Sequence, residues 1–221
     1  ATINESVDAT IDVNDVNLSL FKNFPNASVS LDNLAIINKA PFQGDTLVSF
    51  EELNLKMSIK ELFKGENEPL IIDGLSTKNG VLNIVFNKDG IGNFDIALKD
   101  NKDDDKKDDT SKPMTFNIKE YAISNFKFKY YDEKSKMKLV LDSLNHQGKG
   151  DFSTSKLDLD TKTTTNVIFA IDKSNYMNNV KLSLDAILGI DLNNKKYTFK
   201  ENKAKINELP LEFDGFIKLL D

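Results

Sequence analysis

Apolar and polar residues alternate along most of this 221-residue chain. The regular runs include positions 53–59, 82–86, 126–130 and 167–171, where every second residue is apolar. This period of two is typical of β-strands that bury one face. About a dozen such runs, well above the usual share of strand, predict a mainly β protein. We expect one or more twisted antiparallel sheets, arranged as a groove or as a sandwich.

Short polar segments rich in Asn, Asp and Gly separate these runs. The Asp-Gly step within residues 87–90 predicts a tight hairpin turn. Asn tolerates the left-handed backbone conformation, so three further pairs are turn candidates. These pairs are residues 79–80, 178–179 and 193–194.

Helix is expected in only two short segments. Residues 59–64 combine apolar and charged positions, and Gly65 suits a helix C-cap. Residues 17–24 are the second candidate, because the segment ends before Pro25 and helices usually end before a proline. Each would span at most about two turns.

Residues 100–112 read DNKDDDKKDDTSK and contain no apolar residue. Such a segment cannot bury enough apolar surface to offset the entropy of ordering. The sequence therefore predicts a linker or loop here, between a β region at 1–99 and a second β region at 113–221 that continues the sheet. A calcium loop is the sharper alternative, but the acidic residues lack the fixed alternate spacing and the glycine that such a loop needs.

Two segments on either side of this charged stretch are similar to each other. Residues 72–89 read IDGLSTKNGVLNIVFNKD, and residues 118–132 read IKEYAISNFKFKYYD. Each has an Asn followed by an alternating run and an acidic turn. The similarity indicates a repeated strand–turn–strand unit rather than a unique catalytic scaffold.

The composition narrows the possible chemistry. The chain has no Cys, no Trp and one His, and all 29 basic residues are Lys. The absence of Cys excludes disulfides and thiolate metal sites, and a single His excludes multi-His zinc sites. A net charge of −6 and a pI of about 5.0 argue against nucleic-acid binding.

No motif combines the groups that catalysis needs. The glycine-rich residues 89–93 lack the Lys-Ser/Thr pair of a phosphate-binding loop, so a turn is expected there. The acidic pairs 51–52 and 132–133 are expected on the solvated surface. His146 has polar neighbours and is expected in an exposed turn. We therefore expect a non-enzymatic protein with no catalytic residues, no metal site and no cofactor.

Several short motifs follow the order seen in the N-terminal region of the AsmA family. An aromatic-Pro step precedes a strand, a short amphipathic segment and an Asp-Gly turn, where Phe94 replaces the usual Trp. The chain resembles this family most closely over about residues 10–98 and more loosely to about residue 150. The motifs are FP at 24–25, VSLDNL at 29–34, FQGD at 42–45, LNLKM at 53–57, LFKG at 62–65, NGVL at 79–82 and DGIGNF at 89–94.

The resemblance implies a role in the cell envelope of Gram-negative bacteria. AsmA-like proteins are usually held to the inner membrane by one N-terminal helix, with the body in the periplasm, and are linked to outer-membrane assembly and lipid homeostasis. They are related to elongated bridge proteins whose β-sheet grooves are thought to carry phospholipid between membranes. For this chain the resemblance implies a periplasmic location, an anchoring helix before Ala1, and phospholipid as a partner.

A lipid groove needs a continuous apolar lining, which the alternate residues of a curved sheet supply. The same residues would suit the closed core of a sandwich that binds a protein partner by edge-strand pairing. A hydrolase of envelope glycans is a third hypothesis, although no constellation of carboxylates or nucleophiles supports it. The candidate groove residues are Leu53, Leu55, Met57, Leu82, Ile84, Phe86, Phe126, Phe128, Phe169 and Ile171.

Overall fold

One open, twisted sheet contains nearly all of the regular structure. The computed structural model describes residues 7–65, 70–96 and 114–218. Within these ranges lie twelve strands and one 3₁₀ turn, η1 (Ile59–Phe63). The strands are β1 (Ala9–Asp12), β2 (Asp15–Asn23), β3 (Asn26–Asn38), β4 (Thr46–Ser58), β5 (Leu70–Phe86), β6 (Met114–Asp132), β7 (Met137–Lys149), β8 (Lys156–Ile171), β9 (Ser174–Asp191), β10 (Lys196–Ile206), β11 (Leu209–Leu211) and β12 (Gly215–Lys218).

The strands follow one another across the sheet almost in chain order. The path runs β1-β3-β4-β5-β6-β7-β8-β9-β10-β11, while β2 pairs with β3 and β12 pairs with β10. All neighbouring strands are antiparallel except β5 and β6, which are parallel. The antiparallel prediction is therefore confirmed for every pair but this one. The exception arises because the long connection between β5 and β6 returns the chain to the opposite end of the sheet, as parallel pairing requires.

The parallel pair brings the two similar segments side by side. From Gly74 to Phe86 their ladder joins residues 46 positions apart, as in Gly74 with Glu120 and Phe86 with Asp132, whereas the first three pairs, from Leu70 to Ile72, are 44 positions apart. Residues 72–89 and 118–132 align in the sequence with the same offset. The charged segment 100–112 lies outside the described residues, and the strands that follow it extend the same sheet.

The two helix predictions have different outcomes. Residues 59–63 do form a helical turn, but it is the 3₁₀ turn η1, with the Ser58 hydroxyl accepting a hydrogen bond from the Lys60 backbone N–H at 3.4 Å. The prediction of helix at 17–24 is wrong, because residues 15–23 form β2. Val16 and Leu18 alternate with polar residues and pair with β3, and this ladder outweighs the weak local preference.

Left-handed residues lie inside several strands. Asn33, Asn79 and Asn125, together termed the asparagine row, have φ angles of 51°, 50° and 47°. The turn predictions at 79–80 and 178–179 are wrong for this reason, since Asn79 lies within β5 and Asn179, with φ 54°, lies within β9. The turns predicted at 87–90 and 193–194 are confirmed.

Side-chain hydrogen bonds connect the asparagine row across the sheet. Asn125 Nδ2 donates to Asn79 Oδ1 at 2.7 Å, and Asn79 Nδ2 donates to Glu51 Oε2 at 2.6 Å. Asn33 faces Glu51 in the register of the next pair of strands. A left-handed residue in a strand shifts the alternation by one position. Within one strand, an apolar residue before the left-handed residue and another three positions further along therefore face the same side of the sheet.

Few elements cover the faces of the sheet. Extensive contacts join only neighbouring strands, and η1 makes a few contacts with β3 and β4. At the corner next to η1, Ala27, Met57 and Ile72 are buried. In the described part of the chain no second sheet packs on the first, so the sandwich arrangement is not formed there. The structure has the open alternative, a single twisted sheet.

We expect Gly80→Ala to lower the free energy of unfolding by about 2–3 kcal/mol. Gly80 lies between the rings of Phe50 and Phe126, whose centroids are 5.8 Å apart. A Cβ at this position would come within 2.3 Å of the Phe126 ring and 2.6 Å of the Ser49 carbonyl oxygen. Urea denaturation of the variant and the native chain measures the difference.

Gly74→Ala is the matched control on the same strand. A Cβ at position 74 would meet its nearest atoms at 3.4–3.5 Å, which is ordinary contact. We expect this change to alter stability by less than about 1 kcal/mol. Equal losses in the two variants would contradict the packing explanation.

Candidate functional site: the apolar face

β8 defines the two faces of the sheet, because its alternation is uninterrupted. Its odd-numbered residues from Leu157 to Val167 are buried or half-buried, whereas its even-numbered residues up to Thr164 are exposed. The odd-numbered side is here termed the apolar face, and the other side the polar face. Ladder partners on neighbouring strands lie on the same face. Each face can therefore be followed from strand to strand through the register.

Followed in this way, all ten candidate groove residues lie on the apolar face. For example, Leu82 pairs with Phe128, Phe128 pairs with Leu141, and Leu141 pairs with Val167 of β8. The register thus brings together residues from four strands, and their role as a lipid lining stays a prediction. The ten residues are Leu53, Leu55, Met57, Leu82, Ile84, Phe86, Phe126, Phe128, Phe169 and Ile171.

Most of these ten side chains are only half-buried. Met57 and Phe126 are 3% and 5% exposed, Ile171 is 36% exposed, and the other seven are intermediate. Neighbouring side chains cover the flanks of each residue, while no strand of the described chain packs above the face. The face is therefore an apolar surface in contact with solvent.

The apolar face reaches both edges of the sheet. Val16 and Leu18 of β2, 65% and 57% exposed, belong to it through their pairing with β3. At the other edge Leu209 and Ile217, 61% and 55% exposed, belong to it through their pairing with β10. Val16 and Leu18 are not among the predicted lining residues, because the helix hypothesis for residues 17–24 removed this segment from the alternating set.

The polar face is covered by ion pairs that reach across glycines. Lys56 Nζ lies 2.7 Å from Glu120 Oε1, and Gly74 occupies the strand between them. Lys200 Nζ lies 2.6 Å from Asp158 Oδ1, with Gly189 on the strand between. The hydrogen bond from Lys56 lowers the pKa of Glu120. The charged side chains of this face suit it to contact with water.

A cluster of paired polar side chains lies on the apolar face, which also carries Thr77, Thr161 and Thr165. His146 Nε2 lies 2.7 Å from Tyr121 Oη, and His146 Nδ1 lies 2.8 Å from Thr163 Oγ1. The Tyr121 ring covers Gly148, where a Cβ would come within 2.5 Å of it. Three neighbouring strands therefore contribute one side chain each to a line of paired polar groups.

The prediction of His146 in an exposed turn is wrong. β7 continues through this residue, and the alternation exposes Asn145 and Gln147 on the polar face while turning the imidazole to the apolar face. Burial lowers the pKa of His146 and raises the pKa of Tyr121. Both groups are therefore neutral at about pH 7, and their hydrogen bonds satisfy each other.

The acidic pairs contribute to local structure. Asp132 accepts hydrogen bonds from the backbone N–H groups of Lys134 and Ser135 and from the Ser135 hydroxyl, and these bonds lower its pKa. Glu51 accepts the hydrogen bond from Asn79 described above. In the described ranges no group of three or more His, Asp or Glu side chains is placed to hold a metal ion.

The glycine-rich residues 89–93 form the turn that the sequence predicts. Gly90 has a φ of 80°, and the Asn87 side chain accepts hydrogen bonds from the Asp89 and Ile91 backbone N–H groups. Asn93 is buried, and its side-chain oxygen accepts a hydrogen bond from the Val85 backbone N–H at 2.9 Å. These residues close the end of β5 against the chain that follows it.

A recess of about 720 Å³ lies on the polar side near the C-terminal edge. Asp160, Asp185, Lys200 and Glu212 contribute to its lining. Ala186, Ile187 and Phe213 line it as well, so the recess has a mixed polar and apolar lining. The apolar face remains the surface whose chemistry is least explained by folding alone.

Comparison with models of known families and with curated protein sequences gives no match to this chain. In the parts of the chain that the structure describes, no helix is long and apolar enough to cross a membrane. The interpretation of function below therefore depends on the geometry of the apolar face and on the sequence motifs.

We expect the free energy of unfolding to fall as the pH is lowered from about 7.5 to about 5.5. In the unfolded chain His146 takes up a proton near its ordinary pKa of 6.5, whereas burial holds its pKa lower in the folded chain. The contribution to stability is therefore complete above pH 6.5 and decreases as the pH falls toward the lower folded pKa. Urea unfolding at the two pH values measures the change.

The variant His146→Gln is the control for this prediction. His146 is the only His in the chain, and Gln keeps hydrogen-bonding groups without a titration in this range. We expect the variant to show little change in stability between the two pH values. Native chains that are equally stable at both values would refute the assignment.

Proposed function

We propose that this chain is the periplasmic part of an AsmA-like envelope protein that contacts or conducts phospholipid, without enzymatic activity, in outer-membrane biogenesis and lipid homeostasis. The observation that carries the proposal is the apolar face, which extends from β2 to β12 and is covered by no second layer of described structure. The ordered motifs between residues 24 and 94 give it further support. Anchoring to the inner membrane by a helix before Ala1 belongs to the same proposal.

Acyl chains match the chemistry of the apolar face. Each methylene transferred from water to an apolar surface contributes about 0.8 kcal/mol, so a chain lying across a few strands gains useful affinity. An acyl chain brings no polar group that has to be satisfied. Tyr121, His146 and Thr163 on this face bond to one another, and the Thr161 and Thr165 hydroxyls donate to backbone carbonyls. The Thr77 hydroxyl also lies on this face; it is buried and has no hydrogen-bond partner among the described residues.

Edge-strand pairing with a protein partner is the second candidate function. β2 is nine residues long, and its outer side faces no further strand among the described residues. An extended segment of a partner would pair there through backbone hydrogen bonds. Under this hypothesis the protein would carry no lipid, so lipid analysis separates the two functions.

We expect Phe128→Asp to weaken the binding of a fluorescent fatty acid by about tenfold or more. Phe128 is half-buried in the middle of the apolar face, and a carboxylate there would place a charge where the acyl chain lies. Fluorescence titration gives the affinity. Lys129→Asp is the matched control, because Lys129 is the exposed next residue on the polar face, and we expect its effect to stay within about twofold.

A photo-crosslinking amino acid at position 128 or 129 tests the same face without adding a charge. After expression in a Gram-negative host and illumination, we expect phospholipid adducts at position 128 and none at position 129, detected by mass spectrometry. Equal adducts at both positions, or none at either, would count against the lipid function. Protein adducts obtained instead with a photo-crosslinker in β2 would favour edge pairing.

A further inference from the structure

The line of Tyr121, His146 and Thr163 on the apolar face holds one more donor proton than its own contacts use. Tyr121 Oη lies 2.7 Å from His146 Nε2, and His146 Nδ1 lies 2.8 Å from Thr163 Oγ1. A neutral imidazole has one N–H donor and one acceptor nitrogen, and each hydroxyl has one donor proton. The three groups therefore hold three donor protons, while the two contacts between them use two. One proton is left for an acceptor outside the line.

The acidity of the two hydroxyls places this spare proton on Thr163. A phenol is a stronger acid than an aliphatic hydroxyl, so Tyr121 is the better donor to the single acceptor nitrogen of the ring. With Tyr121 donating to Nε2, the ring proton lies on Nδ1 and is donated to Thr163 Oγ1. Among the described residues neither hydroxyl makes a further hydrogen bond. The Thr163 hydroxyl thus keeps a proton that no described acceptor takes.

The two neighbouring threonines on the same side of β8 differ from Thr163 in this respect. Thr161 and Thr165 are 2% and 4% exposed, and each hydroxyl donates to a backbone carbonyl oxygen at 2.9 Å, that of Ala186 and that of Asp142. Thr163 is half-buried, and its oxygen accepts from the imidazole instead. Of the three threonines it is therefore the one that can donate to an occupant of the apolar face.

The surroundings of Thr163 are apolar. The register places His146 and Thr163 between Ile123 on β6 and Leu184 on β9, and all four side chains are half-buried. Val167 follows on the same side of β8, roughly 13 Å further along the strand. A pure hydrocarbon over this region would leave the Thr163 proton unpaired, which costs free energy. An apolar chain that carries one acceptor atom at its end would pair it.

We propose that Thr163 donates a hydrogen bond to an ester carbonyl oxygen of a phospholipid, whose acyl chain then lies over the apolar face toward Val167. The inference rests on the proposed lipid function and adds a preference for ester-linked over ether-linked chains. A carbonyl oxygen offers lone pairs and brings no donor of its own, so it matches a single spare proton. Tyr121 and His146 are positioning residues, because they direct the Thr163 proton without contacting the carbonyl.

Competition between two phospholipids tests this preference. Delipidated protein is mixed with vesicles that hold equal amounts of a diacyl phosphatidylcholine and of the dialkyl ether with the same chain length, and native mass spectrometry counts each lipid on the protein. We expect the ester lipid to bind about five- to tenfold more tightly, as one added hydrogen bond predicts. Equal binding of both lipids would overturn the inference and leave the lipid function standing. Binding of neither would overturn both.

Variants of β8 assign the preference to one hydroxyl. Thr163→Val removes the hydroxyl and keeps the shape of the side chain, so we expect the two lipids to bind equally. Thr163→Ser restores the hydroxyl, and we expect it to restore the preference to within about twofold. Thr161→Val is the matched control, because its hydroxyl already donates to the Ala186 carbonyl. A preference that survives Thr163→Val, or that disappears in Thr161→Val, would refute the assignment to Thr163; urea unfolding verifies that each variant is folded.

The position of the imidazole proton gives a readout that needs no lipid and no variant. His146 is the only His in the chain, so nitrogen NMR assigns its two ring nitrogens directly. At about pH 7.5, where the ring is neutral, we expect the proton on Nδ1 and a bare Nε2. A proton on Nε2 would leave the spare donor on Tyr121 and would overturn the role of Thr163.

Discussion

The alternation of side chains has to stay in phase across twelve strands for this sheet to have an apolar face. A slip of one residue in any ladder would exchange the faces of every strand beyond it. Left-handed residues shift the phase within β3, β5 and β6, but Asn33, Asn79 and Asn125 do so at matched positions. Hydrogen bonds along the asparagine row hold neighbouring strands in that match, so the two faces remain separate.

An open sheet of this kind depends on contacts between neighbouring strands, and glycines make several of those contacts possible. Gly80 lets the rings of Phe50 and Phe126 approach each other, and Gly148 makes room for the Tyr121 ring. On the polar face Gly74 has the same function for an ion pair. Long side chains thus join alternate strands without a second layer. The apolar residues are held in place while their outer surface stays accessible.

This accessibility connects the fold with the proposed functions. A closed sandwich would use the same alternation to exclude water from its interior, whereas the single sheet leaves its apolar side to an external occupant. The proposed occupant, an acyl chain, would complete the burial that the protein itself leaves partial at residues such as Leu55 and Phe128.

The sequence by itself determined the mainly β class, because a period of two is a local property. The register between strands decided that the ten candidate groove residues share one face, since a slip of one residue would exchange the faces. The similarity of residues 72–89 and 118–132 has the same offset of 46 positions as the ladder from Gly74 to Phe86, but it did not specify that β5 and β6 pair. Only the tertiary structure decided that the Asn pair at 193–194 turns the chain while Asn179 continues a strand, since both have the same local preference. It also decided that residues 17–23 extend along β3 and that β5 and β6 run parallel. The same register places the His146 side chain on the apolar face. Each of these outcomes depends on ladder partners distant in the chain, which no local pattern specifies.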